Sequence, residues 1–205
     1  MYMFGRFIFS LVCLLALFVF GVSAEVYKID SEHSNVSFSI RYLVSNTGGN
    51  FHVFSGSIKY DENRPEEIQI KAIIQANSID TDNVKRDEHL RSDDFLNVEK
   101  YPILSFTSSE AELKKSEDDT ADITHDVLYV QGEFTMHGVS KMITLPVHFL
   151  GKNIHPYKNK EVVGFSAATV IQRSDYGVNN WTDKAGVLSD EVNIELTVQA
   201  IQTSE

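Results

Sequence analysis

Asn83-Val84-Lys85-Arg86-Asp87-Glu88-His89-Leu90-Arg91-Ser92-Asp93-Asp94-Phe95-Leu96 is the one convincingly helical stretch in a chain that otherwise alternates like successive strands. Its few apolar side chains are gathered at one end, and Asp80 or Asp82 is positioned to cap its start. A helix this polar has too narrow an apolar stripe to form a core by itself. We therefore predict a lid that lies across an opening and turns its apolar end inward.

The segments on either side of this stretch show the period-2 alternation of half-buried strands. Val36, Phe38 and Ile40 alternate with polar residues. The same pattern recurs in residues 26–29, 54–60, 68–76, 104–107, 128–136, 143–149, 165–171 and 192–200. Residues 45–50, by contrast, are rich in Gly, Asn and Ser, and they predict a loop.

About eight strands with hairpin-length connections predict an all-β fold with an antiparallel sheet. No repeat or linker divides the chain, so we predict one domain. A β-sandwich and a closed barrel both fit the pattern. Several strands reach about ten residues, or ~33 Å at the usual rise. Long strands and a lone lid helix favour an eight-stranded β-barrel, which can hold one small ligand.

Residues 1–24 are predicted to be a secretory signal peptide. Arg6 supplies a positive charge, residues 7–20 are almost wholly apolar, and Val22-Ser23-Ala24 offers small residues for cleavage. The alternative is an uncleaved membrane anchor, but the apolar run is shorter than the ~20 residues that a membrane-spanning helix needs, which favours cleavage. Cleavage would leave residues 25–205 as the single domain. We expect no stable membrane insertion after cleavage.

The remaining composition indicates an exported bacterial protein. The only cysteine is Cys13, inside the predicted signal peptide, so the mature chain would have no disulfide. That is typical of a bacterial periplasm rather than of small secreted eukaryotic domains. The formal net charge of −11 disfavours nucleic acid and anionic membranes, because both require a basic surface.

Six short motifs occur in a fixed order along nearly the whole mature chain. They are Asp30-x-x-His33-Ser34-x-Val36-x-Phe38, Phe51-x-x-Phe54-x-Gly56, Arg86-Asp87-x-His89-Leu90-x-Ser92-x-Asp94-Phe95-Leu96, Tyr101-Pro102, Gly132-x-Phe134-Thr135-x-His137-Gly138-Val139 and Arg173-x-x-Tyr176-Gly177. In these motifs the chain resembles the YceI-like family, the bacterial polyisoprenoid- or lipid-binding domain. The resemblance implies a lipocalin-like antiparallel barrel around a long apolar channel that holds an isoprenoid or fatty-acid-like chain. Some family members are dimers, which leaves a homodimer open here.

The predicted channel lining consists of apolar residues on the strands and two on the lid. They are Phe38, Ile40, Phe54, Ile58, Ile70, Ile74, Leu90, Phe95, Phe106, Phe134, Phe149 and Phe165. The alternative is a filled core, because an eight-stranded barrel can be packed by its own side chains.

Six polar residues are predicted to contact the polar head group of the ligand. They are Arg41, Tyr42, Arg86, His89, Arg173 and Tyr176. Arginine suits such a role because its planar fork can bind two oxygens at once. The alternative is internal ion pairing, of Arg86 with Asp87 or Asp94 and of Arg173 with Asp175.

The sequence offers no recognisable catalytic or metal-binding set. Its seven histidines are scattered, and none stands two or four residues from another, as paired metal ligands on one element do. Turn or cap roles are the better interpretation of His33 and His137. No serine occurs in a Gly-x-Ser-x-Gly elbow, and the mature chain has no cysteine nucleophile. We therefore predict no catalytic residue, no metal, and no cofactor besides a bound lipid.

The function that fits these features is a periplasmic carrier that holds a long-chain apolar ligand without covalent chemistry. The ligand would be a polyisoprenoid, a quinone or a fatty-acid-like lipid. Two alternatives belong to other classes. One is a β-sandwich interaction module with a filled core that acts through its loops, and the other is a metal-dependent enzyme using His89 and His137.

Overall fold

One antiparallel sheet of eleven strands, with one helix, dominates the computed structural model, which describes residues 24–115, 126–180 and 187–203. Nearly all of the predicted signal peptide lies outside these residues. The elements are β1 (Glu25–Ile29), β2 (Asn35–Tyr42), β3 (Ser45–Phe51), β4 (Phe54–Tyr60), β5 (Gln69–Gln75), β6 (Ile79–Asp80), α1 (Val84–Arg91), β7 (Ile103–Lys114), β8 (Val127–Met136), β9 (Val139–Ile154), β10 (Glu161–Gln172) and β11 (Leu188–Gln202).

The eleven strands occupy eight positions around a closed barrel, because three positions are each made of two consecutive strands. β1 and β2 lie end to end along β11, which pairs Ala200 with Ile29 and Thr197 with Asn35. β3 continues into β4, and β5 into β6, in the same manner. From β7 to β11 each strand pairs with the next, and β11 closes the ring on β1 and β2. The predicted eight-stranded antiparallel barrel is confirmed, and its closure argues against a sandwich.

Residues 45–50, predicted to be a loop, instead form most of strand β3. A two-residue turn that begins at Leu43 (φ 52°) joins β2 to β3, and the two strands pair along their length. Gly48 and Gly49 allow neighbouring strands to approach closely. A Cβ on Gly48 would lie 2.5 Å from the carbonyl oxygen of Phe38, and one on Gly49 would lie 2.3 Å from a carbonyl oxygen of β6. The glycines that suggested a loop are therefore required by strand packing.

The helix α1 is shorter than the predicted stretch and is capped by a different residue. The Asn83 side chain accepts a hydrogen bond from the backbone N–H of Arg86 at 3.1 Å. The predicted cap Asp80 accepts instead from the backbone N–H of Asp82 at 2.9 Å. Asp82 itself has φ 58°, so both candidates belong to the turn that leads into the helix.

The Asp30-x-x-His33-Ser34 motif braces the break between β1 and β2. Ser34 Oγ donates to the Asp30 carbonyl oxygen at 2.6 Å and accepts from the Gln199 backbone N–H at 3.0 Å. His33 Nδ1 lies 2.8 Å from Asp30 Oδ2, in the predicted turn role. Burial acts to raise the pKa of Asp30, but hydrogen bonds from His33 and from the Glu32 backbone hold it below its usual value. The motif thus fastens an interrupted strand to β11.

A two-residue turn, His137-Gly138, joins β8 to β9. Both residues have left-handed φ angles, 52° and 75°. The Tyr101 ring packs against this turn, with its centroid 4.4 Å from that of the His137 ring. His137 Nδ1 donates to the carbonyl oxygen of Tyr176 at 3.1 Å. The predicted turn role of His137 is confirmed, and the Tyr101-Pro102 motif is explained by the same contact.

We expect Gly138→Ala to lower the free energy of unfolding by roughly 2–4 kcal/mol, which urea unfolding would measure. A Cβ here would lie 2.5 Å from the Tyr101 ring, at a φ that L-residues adopt only with strain. Gly151→Ala is the matched control, because Gly151 also has a positive φ (122°) but has no atom within 4 Å of the added Cβ. Equal losses in the two variants would contradict the packing role of Tyr101.

Candidate functional site

The barrel encloses a cavity of about 500 Å³. This volume lies within the roughly 300–1,000 Å³ of small-molecule pockets. Its wall is built mainly from apolar side chains that alternate along the strands. Several of them, such as Phe38, Ile70 and Ile74, are only partly buried because they border this space. The interior is therefore not a filled core.

Eleven of the twelve predicted channel residues line this cavity. They are Phe38, Ile40, Phe54, Ile58, Ile70, Ile74, Leu90, Phe95, Phe106, Phe134 and Phe165. The structure places Phe149 outside the lining, although neighbouring Val147 on the same strand belongs to it. The Phe149 ring lies 5.2 Å from that of Tyr60 and 5.5 Å from that of Phe165, so it packs beneath the cavity floor.

Aromatic rings and ion pairs close the floor of the barrel. The Tyr60 and Phe165 rings meet edge-on, with centroids 5.1 Å apart. Burial, followed by the charges of neighbouring carboxylates, raises the pKa of Tyr60 to about 12, so this ring stays neutral. Just beyond it, Lys152 Nζ lies 2.8 Å from a carboxylate oxygen of Glu62. The floor therefore offers a long ligand no simple exit.

The helix α1 and the residues after it cover the opposite end. Leu90, Phe95 and Leu96 line the cavity, so the apolar end of the stretch faces inward as predicted. The His89 ring meets the Phe95 ring edge-on at 4.9 Å, and His89 Nε2 lies 3.0 Å from Asp94 Oδ2. We call residues 84–96 the lid.

The lid is anchored at Thr81, the residue directly after β6, which the sequence analysis did not select, and Arg91 adds hydrogen bonds to the carbonyl oxygens of Asn77 and Ile79. The buried carboxylate of Asp87 accepts from the Thr81 backbone N–H at 2.9 Å and from Thr81 Oγ1 at 2.5 Å. Arg86 Nε donates to Thr81 Oγ1 at 2.7 Å, and Arg86 Nη2 donates to the Thr81 carbonyl oxygen at 2.6 Å. The alternative of an ion pair between Arg86 and Asp87 or Asp94 is not what the structure shows.

Four of the six predicted head-group residues line the cavity: Tyr42, Arg86, His89 and Arg173. The other two do not. Ile40 and Tyr42 face inward, so Arg41 between them faces outward, and it donates to the Leu43 carbonyl oxygen at 2.9 Å.

Tyr176 is buried outside the lining. Its ring packs edge-on against the Phe134 ring, with centroids 5.4 Å apart. It sits in the short 3₁₀ turn Arg173–Tyr176, which folds back over the end of β10. Tyr176 therefore supports the cavity wall from behind, which is a packing role rather than the predicted head-group contact.

Arg173 is the most deeply buried cation of the site, with 3% of its surface exposed. Its Nε donates to the Ser189 carbonyl oxygen at 2.9 Å, and its Nη1 donates to those of Val178 and Asn180 at 2.8 and 2.7 Å. Burial lowers the pKa of the guanidinium below its usual range, and the charge of Asp190 partly offsets this effect.

The predicted partner of Arg173 lies elsewhere. Asp175 Oδ1 is 3.7 Å from Lys141 Nζ, so it belongs to a surface ion pair. Among the described residues, Arg173 Nη2 is the one buried side-chain nitrogen or oxygen without a hydrogen-bond partner. No local sequence pattern indicates this unpaired donor, because it results from how residues 173–180 fold after β10.

The lining also includes inward-facing residues that the sequence analysis did not select. Among them are Ala167 and Thr169 on β10, and Val192, Ile194, Leu196 and Val198 on β11. The signal was available, because these residues occupy the apolar phase of strands that were predicted. The alternation identifies the inner face of each strand, but it does not show whether that face borders packed side chains or an empty cavity.

Within the part of the chain that the structure describes, no three His, Cys, Asp or Glu side chains converge on a point that could hold a metal ion. His89 lies on the lid and His137 in the β8–β9 turn, so the structure assigns this pair to different local contacts. No helix in this part of the chain has the length and apolarity needed to cross a membrane.

Comparison with known proteins places this architecture in one family. The family profile described as YceI-like domain matches residues 27–200. A UPF0312 protein of Pseudomonas aeruginosa is 37% identical over 191 residues, which cover 91% of this chain and 93% of that protein. Protein YceI of Salmonella arizonae is 37% identical over 197 residues, which cover 95% of each chain.

Solved structures agree with the sequence relatives. The Campylobacter jejuni YCEI protein superimposes with a TM-score of 0.63 at 30% identity, covering 80% of this chain and 90% of that one. A polyisoprenoid binding domain from Saccharophagus degradans also gives a TM-score of 0.63, at 16% identity, covering 86% and 98%. The second comparison supports the fold alone. With its sequence matched over nearly the whole barrel, the chain belongs to the YceI-like domain family.

Proposed function

We propose that this protein is a periplasmic carrier that holds one long-chain apolar molecule, such as a polyisoprenoid, a quinone or a fatty-acid-like lipid, inside the barrel. The observation that carries the proposal is the cavity of about 500 Å³, walled by apolar side chains and closed at its floor. Membership of the YceI-like family and the polyisoprenoid-binding description of the Saccharophagus degradans neighbour support the ligand class. The predicted signal peptide supports the location.

Binding would come from burial of apolar surface. Each Å² of apolar surface removed from water contributes about 25 cal/mol, less the loss of ligand freedom. The deep wall, with residues such as Ile58, Val147 and Phe165, offers almost no hydrogen-bonding group. It therefore selects for length and apolarity.

The orientation of the ligand follows from the two ends of the cavity. The floor is aromatic, whereas Tyr42, Arg86, His89 and Arg173 contribute the polar groups at the lid end. An amphipathic molecule would therefore place its chain toward the floor and its polar end beneath the lid. Loading and release would occur at the lid end.

We expect protein purified from the periplasm to carry a long-chain molecule at close to one per chain. Native mass spectrometry would give the mass of the complex, and organic extraction would identify the cargo. The same protein, stripped of cargo and mixed with geranylgeraniol or palmitate, should rebind one molecule. Protein that carries no ligand and also binds neither probe would contradict the carrier function.

A further inference from the structure

The unpaired Nη2 of Arg173 points to a ligand group that the protein itself does not supply. Buried side-chain donors nearly always have an acceptor, and an exception in a folded protein calls for an explanation. A buried cation without a direct ion pair is costlier still, because a carboxylate acting from a distance offsets only part of its desolvation. Arg173 combines both conditions while lining the cavity.

The carboxylates around Arg173 are committed to other groups. Asp190 accepts from the Ser174 backbone N–H at 2.9 Å and from Ser174 Oγ at 2.5 Å. Asp175 pairs with Lys141. Three backbone carbonyl oxygens fix the Nε and Nη1 edges of Arg173. Its guanidinium is therefore held rigidly, and among the described residues no ion pair neutralises it.

The charges on the cavity wall have one sign. Arg86 and Arg173 line the cavity, and no Asp or Glu of the described residues does. The whole chain carries a formal net charge of −11, so this arrangement departs from the composition of the protein. A cationic end on an otherwise apolar cavity matches an amphipathic anion.

The lid lies over this cationic end through a short chain of contacts. Arg173 Nη1 donates to the Asn180 carbonyl oxygen, and Asn180 Nδ2 donates to Asp94 Oδ1 at 3.2 Å. Asp94 also lies 3.0 Å from His89 Nε2 on the lid. A ligand group beside Arg173 would therefore lie next to the residues that contact the lid.

We infer that the ligand ends in an anionic oxygen group, a carboxylate or a phosphate, and that Arg173 Nη2 donates a hydrogen bond to it. The inference rests on the proposed carrier function and narrows it, because it disfavours hydrocarbons, alcohols and neutral esters. Arginine suits this role because it keeps its charge when buried and its hydrogen bonds to anions are strong.

Two matched ligand pairs test the inference: palmitate with methyl palmitate, and geranylgeranyl phosphate with geranylgeraniol. Each pair shares its chain and differs in the charge of its end. We expect stripped wild-type protein to bind the anion of each pair at least about tenfold more tightly, the ratio given by one charged hydrogen bond. A preference in one pair only would assign the head group to carboxylate or to phosphate.

Arg173→Met should abolish this preference while keeping the affinity for the neutral member of each pair. Arg41→Met is the matched control, because Arg41 also donates to a backbone carbonyl oxygen but faces away from the cavity. It should keep the full preference. Arg173→Lys, which retains a cation without the fork, should give an intermediate ratio if Arg173→Met fails to fold.

The outcomes separate the inference from the carrier function. Neutral chains that bind as well as anions to the wild type, or a preference that survives Arg173→Met, would overturn the inference and leave the carrier intact. An equal loss of anion and neutral ligand in a folded Arg173→Met would assign Arg173 a structural role and also overturn it. A wild type that binds none of the four probes would end both.

Discussion

Ala167→Trp is expected to abolish binding of every long-chain ligand. Ala167 lies in the middle of β10, paired with Val147 on β9 and Leu196 on β11, and it lines the cavity. An indole here would bury roughly 150–250 Å² of aromatic surface inside the cavity of about 500 Å³ and occupy the path of the chain. Because it fills a void, the free energy of unfolding should stay constant or rise by about 0.5–2 kcal/mol.

Ala168→Trp is the matched control, because Ala168 is the next residue of the same strand and faces solvent. Titration with palmitate and urea unfolding would be run on both variants. We expect at least a ~100-fold loss of affinity at position 167, equivalent to about 2.7 kcal/mol, and no loss at position 168. Equal affinities in the two variants would show that the ligand binds elsewhere.

Asp87→Ala is expected to detach the lid. Asp87 is 6% exposed, and its carboxylate accepts hydrogen bonds from both the backbone N–H and the hydroxyl of Thr81. Removing the carboxylate leaves these two buried donors unpaired. Hydrogen bonds to charged groups contribute about 1.5–3 kcal/mol each, so we expect the loss of both to lower the free energy of unfolding by roughly 3 kcal/mol. A loosened lid should also speed ligand release, which a stopped-flow displacement experiment would measure.

Glu88→Ala controls for helix propensity and charge, because Glu88 is the neighbouring acid of the same helix and is exposed. Its effect on the free energy of unfolding should stay within about 0.5 kcal/mol. Asp87→Asn should fall between the two, since its amide oxygen can still accept from Thr81. An Asp87→Ala variant as stable as Glu88→Ala, with unchanged release, would refute the anchoring role.

Much of the barrel could be predicted because the alternation of apolar and polar residues shows which side of a strand faces inward. Alternation with a period of two identified β2, β5, β8 and β11 and placed residues such as Phe38, Ile74 and Phe134 on the inner face. The same rule excludes Arg41, since Ile40 and Tyr42 on either side face inward. The prediction of Arg41 as a ligand contact rested on the chemistry of arginine and not on the position of Arg41 in the strand alternation.

Other features depend on contacts that no local sequence pattern predicts. The alternation places Phe149 on the inner face of its strand, yet its ring lies below the cavity floor. There it packs against the rings of Tyr60 and Phe165. Gly48 and Gly49 lie within a strand because the backbones of β2 and β6 pack closely against them, and the contact with β6 joins residues far apart in sequence. The isolation of Arg173 Nη2 likewise depends on a loop fold and not on a motif.

The three strand breaks divide the wall into two parts that need not open together. The breaks after β3 and β5 lie side by side, since His52 N donates to the Ser78 carbonyl oxygen and Gln75 N to that of Val53. On the floor side, β1 pairs with both β4 and β11 and closes the ring. On the lid side, β2, β3 and β6 form a panel that is paired at one edge to β11 and, among the described strands, to none at its β6 edge.

Regions of one protein can unfold locally at a free energy well below that of global unfolding. The panel, with the lid attached to its β6 edge, has the pairing expected of such a region, because opening it would break strand pairing along β11 alone and leave the floor-side ring paired. Cargo exchange would then be governed by residues of the panel, and overall stability by residues of the ring. Under the proposed carrier function, substitutions in the panel would change the rate of ligand exchange without changing how firmly the ring folds.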